Sequence, residues 1–110
     1  MERNAERNIR VANLIKELAA KFLARENNKT SLITVIHADT SPDLKRATIF
    51  ITVLPDNKEQ EVLEFVKRKR GEFREVLKKT LTIKTIPFLD FAIDKGEKNR
   101  QKIDELLRAK

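Results

Sequence analysis

The run Arg46–Leu54, RATIFITVL, alternates strictly: Ala47, Ile49, Ile51 and Val53 face one way, Thr48, Phe50 and Thr52 the other. A strand projects successive side chains to opposite faces, so this period belongs to a strand in a sheet with one apolar face. Its neighbours narrow the choice. Before it, Leu32–Ala38 (LITVIHA) is β-branched and continuous, as a strand is, and Asp39–Lys45 (DTSPDLK) is a turn. There Pro42 fixes φ, and Asp39, Ser41 and Asp43 are placed to bond local amides. The two strands are close enough to form a hairpin.

Helical periodicity brackets this pair. From Asn8 to Glu26, Val11, Leu14, Ile15, Leu18, Phe22 and Leu23 recur at helical spacing, and Glu26–Ser31 (ENNKTS) ends the helix. A second helix is expected from about Lys58 to Thr82, with Val62, Phe65, Val66, Phe73, Val76, Leu77 and Leu81 on one stripe. That stripe holds register across Gly71, so the glycine marks at most a kink. Ile86–Asp94 (IPFLDFAID) reads as a third strand, with Pro87 near its start where no ladder donor is missed. A turn at Lys95–Asn99 and a short helix, Arg100–Lys110, close the chain. The order is α-β-β-α-(kink)-α-β-α. A helical crossover to the third strand permits parallel pairing. The expected class is α+β: a three-stranded sheet with helices packed on one face, in a single domain spanning residues 1–110.

Charge points to the partner. Of 110 residues, 24 are Lys or Arg against 17 Asp or Glu, a net charge of +7 that favours polyanions, nucleic acid first and anionic membrane second. No apolar run approaches the roughly 20 residues of a membrane span, and the polar start MERNAERNIR has no signal core. The chain reads as soluble and cytoplasmic. It has no cysteine, which excludes disulfides and thiolate chemistry. His37, the single histidine, stands in the first strand among apolar residues, and alone it is a poor metal ligand set or general base. The glutamates of the second helix read as surface ion-pair partners, Glu61 ahead of Lys67 and Arg68, and Glu75 ahead of Lys78 and Lys79. With no glycine-rich phosphate loop and no nucleophile elbow, nothing argues for an enzyme, a cofactor, a metal or a small-molecule substrate.

The positive signal is VKRKRGEFREVLKKT, Val66–Thr80. Lys67, Arg70, Arg74 and Lys78 lie on the flank of the helix away from the apolar stripe, with Arg68 and Lys69 beside them. Such a ridge suits phosphates, which fix position rather than sequence. In a helix interior Gly71 costs about 1 kcal/mol relative to alanine, which asks for a bend or the close approach of another backbone. Lys45 and Arg46 at the hairpin are secondary candidates. Glu72, in the turn after the glycine, works against anion binding. With few exposed aromatics expected, base stacking is not anticipated. The rival reading is a basic protein-interaction module docking on an acidic protein.

Four stretches, in order along nearly the whole chain, resemble the ribosome-binding factor A family of bacterial small-subunit assembly factors. They are Arg7-x-x-Arg10-Val11-Ala12-x-x-Ile15, SPDLKRATIFITVL (Ser41–Leu54), RGEFREVLKKTLTIKTIPFLDFAID (Arg70–Asp94) and IDELL (Ile103–Leu107). The resemblance implies a type II KH-like fold in which a small-x-glycine kink at Gly71 replaces the GxxG loop of other KH domains. It also implies binding to the immature small (30S) subunit and its 16S rRNA, a part in late maturation including processing of that RNA's 5′ end, and a role in growth in the cold. It implies no catalysis, cofactor or membrane, and the protein is read as a monomer. The chain departs from the family at Lys69, where Ala or Ser is usual, at Gly96, where a hydroxyl residue is usual, and at Arg100, where a small residue is usual. It also stops at Lys110, without the charged C-terminal extension of many members.

Overall fold

The computed structural model describes residues 2–26, 31–83 and 85–96. Helix α1 spans Glu2–Glu26, strands β1 and β2 span Leu32–Thr40 and Arg46–Leu54, helices α2 and α3 span Glu59–Arg68 and Arg70–Thr80, and strand β3 spans Phe88–Ile93. A single 3-10 turn, Asp56–Lys58, leads into α2. The closing helix expected at Arg100–Lys110 lies outside the described residues.

The sheet order is β1-β2-β3. β1 pairs antiparallel with β2, and β3 pairs parallel with β2 after the α2–α3 crossover. The alternation of β2 survives as burial: Ala47, Ile49, Ile51 and Val53 are buried, while Thr48, Phe50 and Thr52 lie half-buried on the other face. Leu89 and Phe91 share the buried face, and Phe88 and Asp90 share the open one. Against the buried face pack Val11, Ile15, Ala19, Phe22 and Leu23 of α1, Val62 and Val66 of α2, and Phe73 and Leu77 of α3. Phe73 joins three elements, with ring centroids 5.2 Å from Phe22 on α1 and 6.3 Å from Phe91 on β3. Leu14, expected in the α1 stripe, is exposed, while the small Ala12 and Ala19 are buried.

β1 runs two residues beyond its expected end, to Thr40, and its register shifts in the middle. The register skips one residue between Val35 and His37, a bulge that leaves Ile36 without a partner. Unbulged, the alternation Ile33, Val35, His37 would drive the imidazole into the core. The extra residue flips the face, so Ala38 pairs with buried Ile49 and His37 pairs with Phe50 on the open side. His37 therefore does not sit among apolar side chains as the sequence suggests. Its ring stacks on Phe50 at 4.5 Å, between the carboxylates of Asp39 at 3.6 Å and Asp94 at 3.8 Å.

The β1–β2 turn is built around one hydroxyl. Ser41 Oγ donates to Asp43 Oδ1 at 2.6 Å and accepts from the amides of Arg46 at 3.0 Å and Lys45 at 3.2 Å. Asp43 Oδ1 accepts from the Lys45 amide at 3.1 Å. Leu44 takes a left-handed φ of 58°, strained for a branched side chain, and the surrounding bonds hold it there. The Asn8 amide of α1 donates to the Pro42 carbonyl at 3.1 Å and ties the helix to the turn. Asp39, expected among the turn residues, belongs instead to β1.

Two outcomes follow. Phe73→Ala, which empties the centre of the core, lowers unfolding free energy by about 3–5 kcal/mol in urea denaturation; a loss under about 1 kcal/mol contradicts its central place. The Ser41 hydroxyl, with the Lys45 amide, holds the Asp43 carboxyl below its ordinary value of 3.8. A depressed acid stabilises the fold above its ordinary range and loses that contribution as pH falls through the lowered value. The Lys45 amide shift, followed by NMR, should titrate below pH 3.8, and Ser41→Ala should return the midpoint toward it. A wild-type midpoint at or above 3.8 contradicts the network.

Candidate nucleic-acid interface

The break between α2 and α3 falls at Lys69, not at Gly71. Lys69 has φ −88° and ψ 0°, the bridge region between helix and strand. Its N–H is shared between the carbonyls of Val66 at 3.1 Å and Phe65 at 3.3 Å, so the last turn of α2 tightens. Its carbonyl accepts from Phe73 N at 3.0 Å and opens α3. The helices part between two wholly buried anchors, Val66 and Phe73. Gly71 has no positive φ and lies in the first turn of α3, exposed; a Cβ added there would meet nothing within 4 Å. Neither a bend at the glycine nor close approach of the protein's own backbone accounts for it.

The break divides the basic residues into two groups. Lys67 and Arg70 turn toward the edge of β3, where Asp90 Oδ1 lies 3.9 Å from Lys67 Nζ and 3.5 Å from Arg70 Nη1. Arg70 Nε also donates to the Lys67 carbonyl at 3.1 Å and spans the break. Its guanidinium lies 5.4 Å from the centroid of the Phe88 ring. Lys69 goes the other way: its ammonium stands 5.8 Å over the Phe65 ring and 3.4 Å from Glu72. Lys69, one of the three departures from the family pattern, is thus engaged with Phe65 of α2 and Glu72 of α3, and Glu72, which weighs against anion binding, is partly balanced by it. Half-exposed pairs of this kind contribute at most about 1 kcal/mol each, so a phosphate competes with them readily.

Arg74 follows Arg70 one turn along α3, and Lys78 follows Arg74, its ammonium 3.4 Å from Glu75. Arg68 and Arg74 pair with no carboxylate among the described residues. Glu61 pairs back to Lys58 at 3.2 Å rather than forward to Lys67 or Arg68. The hairpin residues join this region through the sheet: Arg46 is the register partner of Phe88, and Phe88 N donates to the Lys45 carbonyl at 2.8 Å. Arg46 thus lies beside Phe88 in the sheet, and Arg70 and Arg74 share a cleft with it. It is the one phenylalanine left exposed, at 61%. The sequence hides this aromatic because the face that Phe88 takes is not settled until the register is known.

A mixed three-stranded sheet covered on one face by α1 and a broken α2–α3 pair, with cations gathered at the break, defines a type II KH-like α+β domain. Comparison with known proteins agrees. The ribosome-binding factor A profile matches residues 7–107, and the chain belongs to the ribosome-binding factor A family. A ribosome-binding factor A of Coxiella burnetii is 30% identical over 105 residues, covering 94% of this chain and 88% of that protein. One from Paracoccus denitrificans is 36% identical over 96 residues, covering 82% and 69%. The solution NMR structure of a Thermotoga maritima protein assigned to the same factor superposes with a TM-score of 0.70 at 26% identity, covering 84% of this chain and 91% of that one. The crystal structure of ribosome-binding factor A from Thermus thermophilus also gives a TM-score of 0.70, covering 78% and 94%, and at 16% identity it speaks for the fold alone.

Because space over Gly71 is open and its backbone is helical, Gly71→Ala should raise unfolding free energy by roughly 0.4–1 kcal/mol in urea denaturation. A loss of stability would return the kink to the glycine.

Proposed function

We propose that this protein binds the immature small (30S) ribosomal subunit through phosphates of its 16S rRNA, and that Lys67, Arg70 and Arg74 are the principal contacts. The family to which it belongs consists of non-enzymatic factors in maturation of the 30S subunit. The observation that carries the reading is the gathering of Lys67, Arg70 and Arg74 at the α2–α3 break beside β3, on residues that the core does not use, with Arg46 next to Phe88 in the sheet. Lys45 and Arg46 extend this surface from the hairpin, and Lys78 and Arg68 from the helices. Lys69 contributes general positive potential only, because its ammonium is engaged with Phe65 and Glu72. Gly71 and the first-turn amides of α3, where no side chain caps the helix, favour an anion beside Arg70.

In this reading residues 1–110 work as one KH-like RNA-binding domain, a monomer in the cytoplasm, that assists late maturation including processing of the 16S rRNA 5′ end. No helix among the described residues is long and apolar enough to cross a membrane.

Phosphate binding releases counterions, so co-sedimentation with small subunits should weaken steeply with added salt. The double variant Arg70→Glu/Arg74→Glu should lose co-sedimentation while keeping a native circular dichroism spectrum. Salt-independent association, or an unchanged double variant, overturns the reading. Association with a protein that survives nuclease treatment would favour an acidic protein partner instead.

A further inference from the structure

We infer that the open face of the sheet is a second docking surface, separate from the phosphate ridge, and that it takes one cationic amphipathic helix of another protein. Helices α1, α2 and α3 all pack on the opposite face, so among the described residues no element covers this one. Strand register places its side chains. Leu32 pairs with Leu54, and Thr34 with Thr52. The bulge then sets Ile36 and His37 together against Phe50, whose partner on β3 is Ala92. The result is an apolar strip that ends on Leu32 and Leu54, which are 59% and 58% exposed. Single exposed apolar side chains are ordinary, but several gathered on one uncovered face mark an interaction site.

The next row of the sheet is acidic. Asp39, Thr48 and Asp90 are register partners across the three strands, and Arg46 and Phe88 lie beyond them. This row separates the cationic end of the face from the apolar strip. Asp90 is matched by Lys67 and Arg70. Asp39 and Asp94 share only the His37 imidazole, at 3.6 and 3.8 Å, and have no lysine or arginine partner among the described residues. In a chain of net charge +7 this is a local excess of negative charge beside apolar side chains. Charge complementarity and size then choose the occupant. Phosphate meets Asp39 and Asp94 as like charge, so RNA stops at the acidic row. A second copy, joined through the same patch on both subunits, would bring these carboxylates together. With strands about 4.8 Å apart, the outer two of three stand about 10 Å from each other, which is the width of about one α-helix. Such a helix lays its apolar anchors on Leu32, Ile36 and Leu54 and reaches Asp39 with a lysine or arginine. Proteins that coat RNA are rich in both residues because they neutralise phosphate.

The test uses the full chain with labelled leucine and isoleucine methyl groups and three probes. They are a synthetic helix with a leucine stripe flanked by lysine, the same helix with glutamate in place of lysine, and a single-stranded oligouridylate. The methyl resonances of Leu32, Ile36 and Leu54 should shift with the lysine helix and stay in place with the other two. Leu54→Glu should weaken binding of the lysine helix roughly 10- to 150-fold, the loss of one leucine from an apolar contact. Leu32→Glu should show the same loss and serves where Leu54→Glu does not fold. Asp39→Asn should weaken it roughly 2- to 5-fold, as removal of one exposed ion pair does. None of the three should change oligouridylate binding. In complexes with immature small subunits, a benzophenone crosslinker carried at position 54 should join a lysine- or arginine-rich protein segment. Equal shifts from the glutamate helix, shifts from the oligouridylate, or a crosslink to RNA, to a second copy or to residues 97–110 of the same chain overturns the docking face and leaves the phosphate ridge standing. Failure to co-sediment with subunits would sink the RNA reading alone, and the methyl shifts would still decide this one.

Discussion

Phe73 is the contact on which the remaining geometry depends. Wholly buried, it touches Phe22 of α1 and Phe91 of β3, so it joins the helical layer to the sheet. It also opens α3, since its amide bonds to the Lys69 carbonyl. With Phe73 and Leu77 committed to the core, the 100° per residue of an α-helix leaves Arg70, Arg74 and Lys78 on an outer flank. The cations are presented because the aromatic is buried, and the same rotation aims Arg70 at the edge of β3.

The second constraint is the Ser41 turn. Its hydroxyl gathers the amides of Lys45 and Arg46 and holds Leu44 at a left-handed φ. This sets where β2 begins, and so where parallel β3 must begin beside it. Phe88 then lies beside Arg46, its amide on the Lys45 carbonyl. A hairpin and a helix that are remote in sequence thereby meet around one aromatic ring.

Much of this was legible beforehand. The alternation of Arg46–Leu54, the apolar stripes of both long helices and the turn chemistry of Ser41–Asp43 are local patterns, and local patterns report local structure. The misreadings share a cause. His37 looked like a residue among apolar neighbours because a bulge is invisible to periodicity: one extra residue inverts every face that follows it. The kink looked like a property of Gly71 because glycine is the weakest helix former in the segment. The break falls at Lys69 instead, where Val66 and Phe73 are each drawn into the core and the residues between them absorb the mismatch. Phe88 was given a strand but no face, because a phenylalanine after a proline at a strand start gives no sign of which face it will take.

The sequence by itself determined the order of elements through β3, the single covered face of the sheet, a helical crossover that permits a parallel return, and the excess of positive charge. Each follows from spacing between near neighbours or from composition. Only the tertiary structure decided which cations meet. Lys67 and Arg70 turn to Asp90 while Lys69, adjacent to Arg70, turns to Phe65, and Arg46 comes beside Phe88 across 42 positions of chain. The physical reason is that strand register and helix rotation are set by burial of side chains far apart in sequence. The direction of a surface charge is the consequence of those buried contacts.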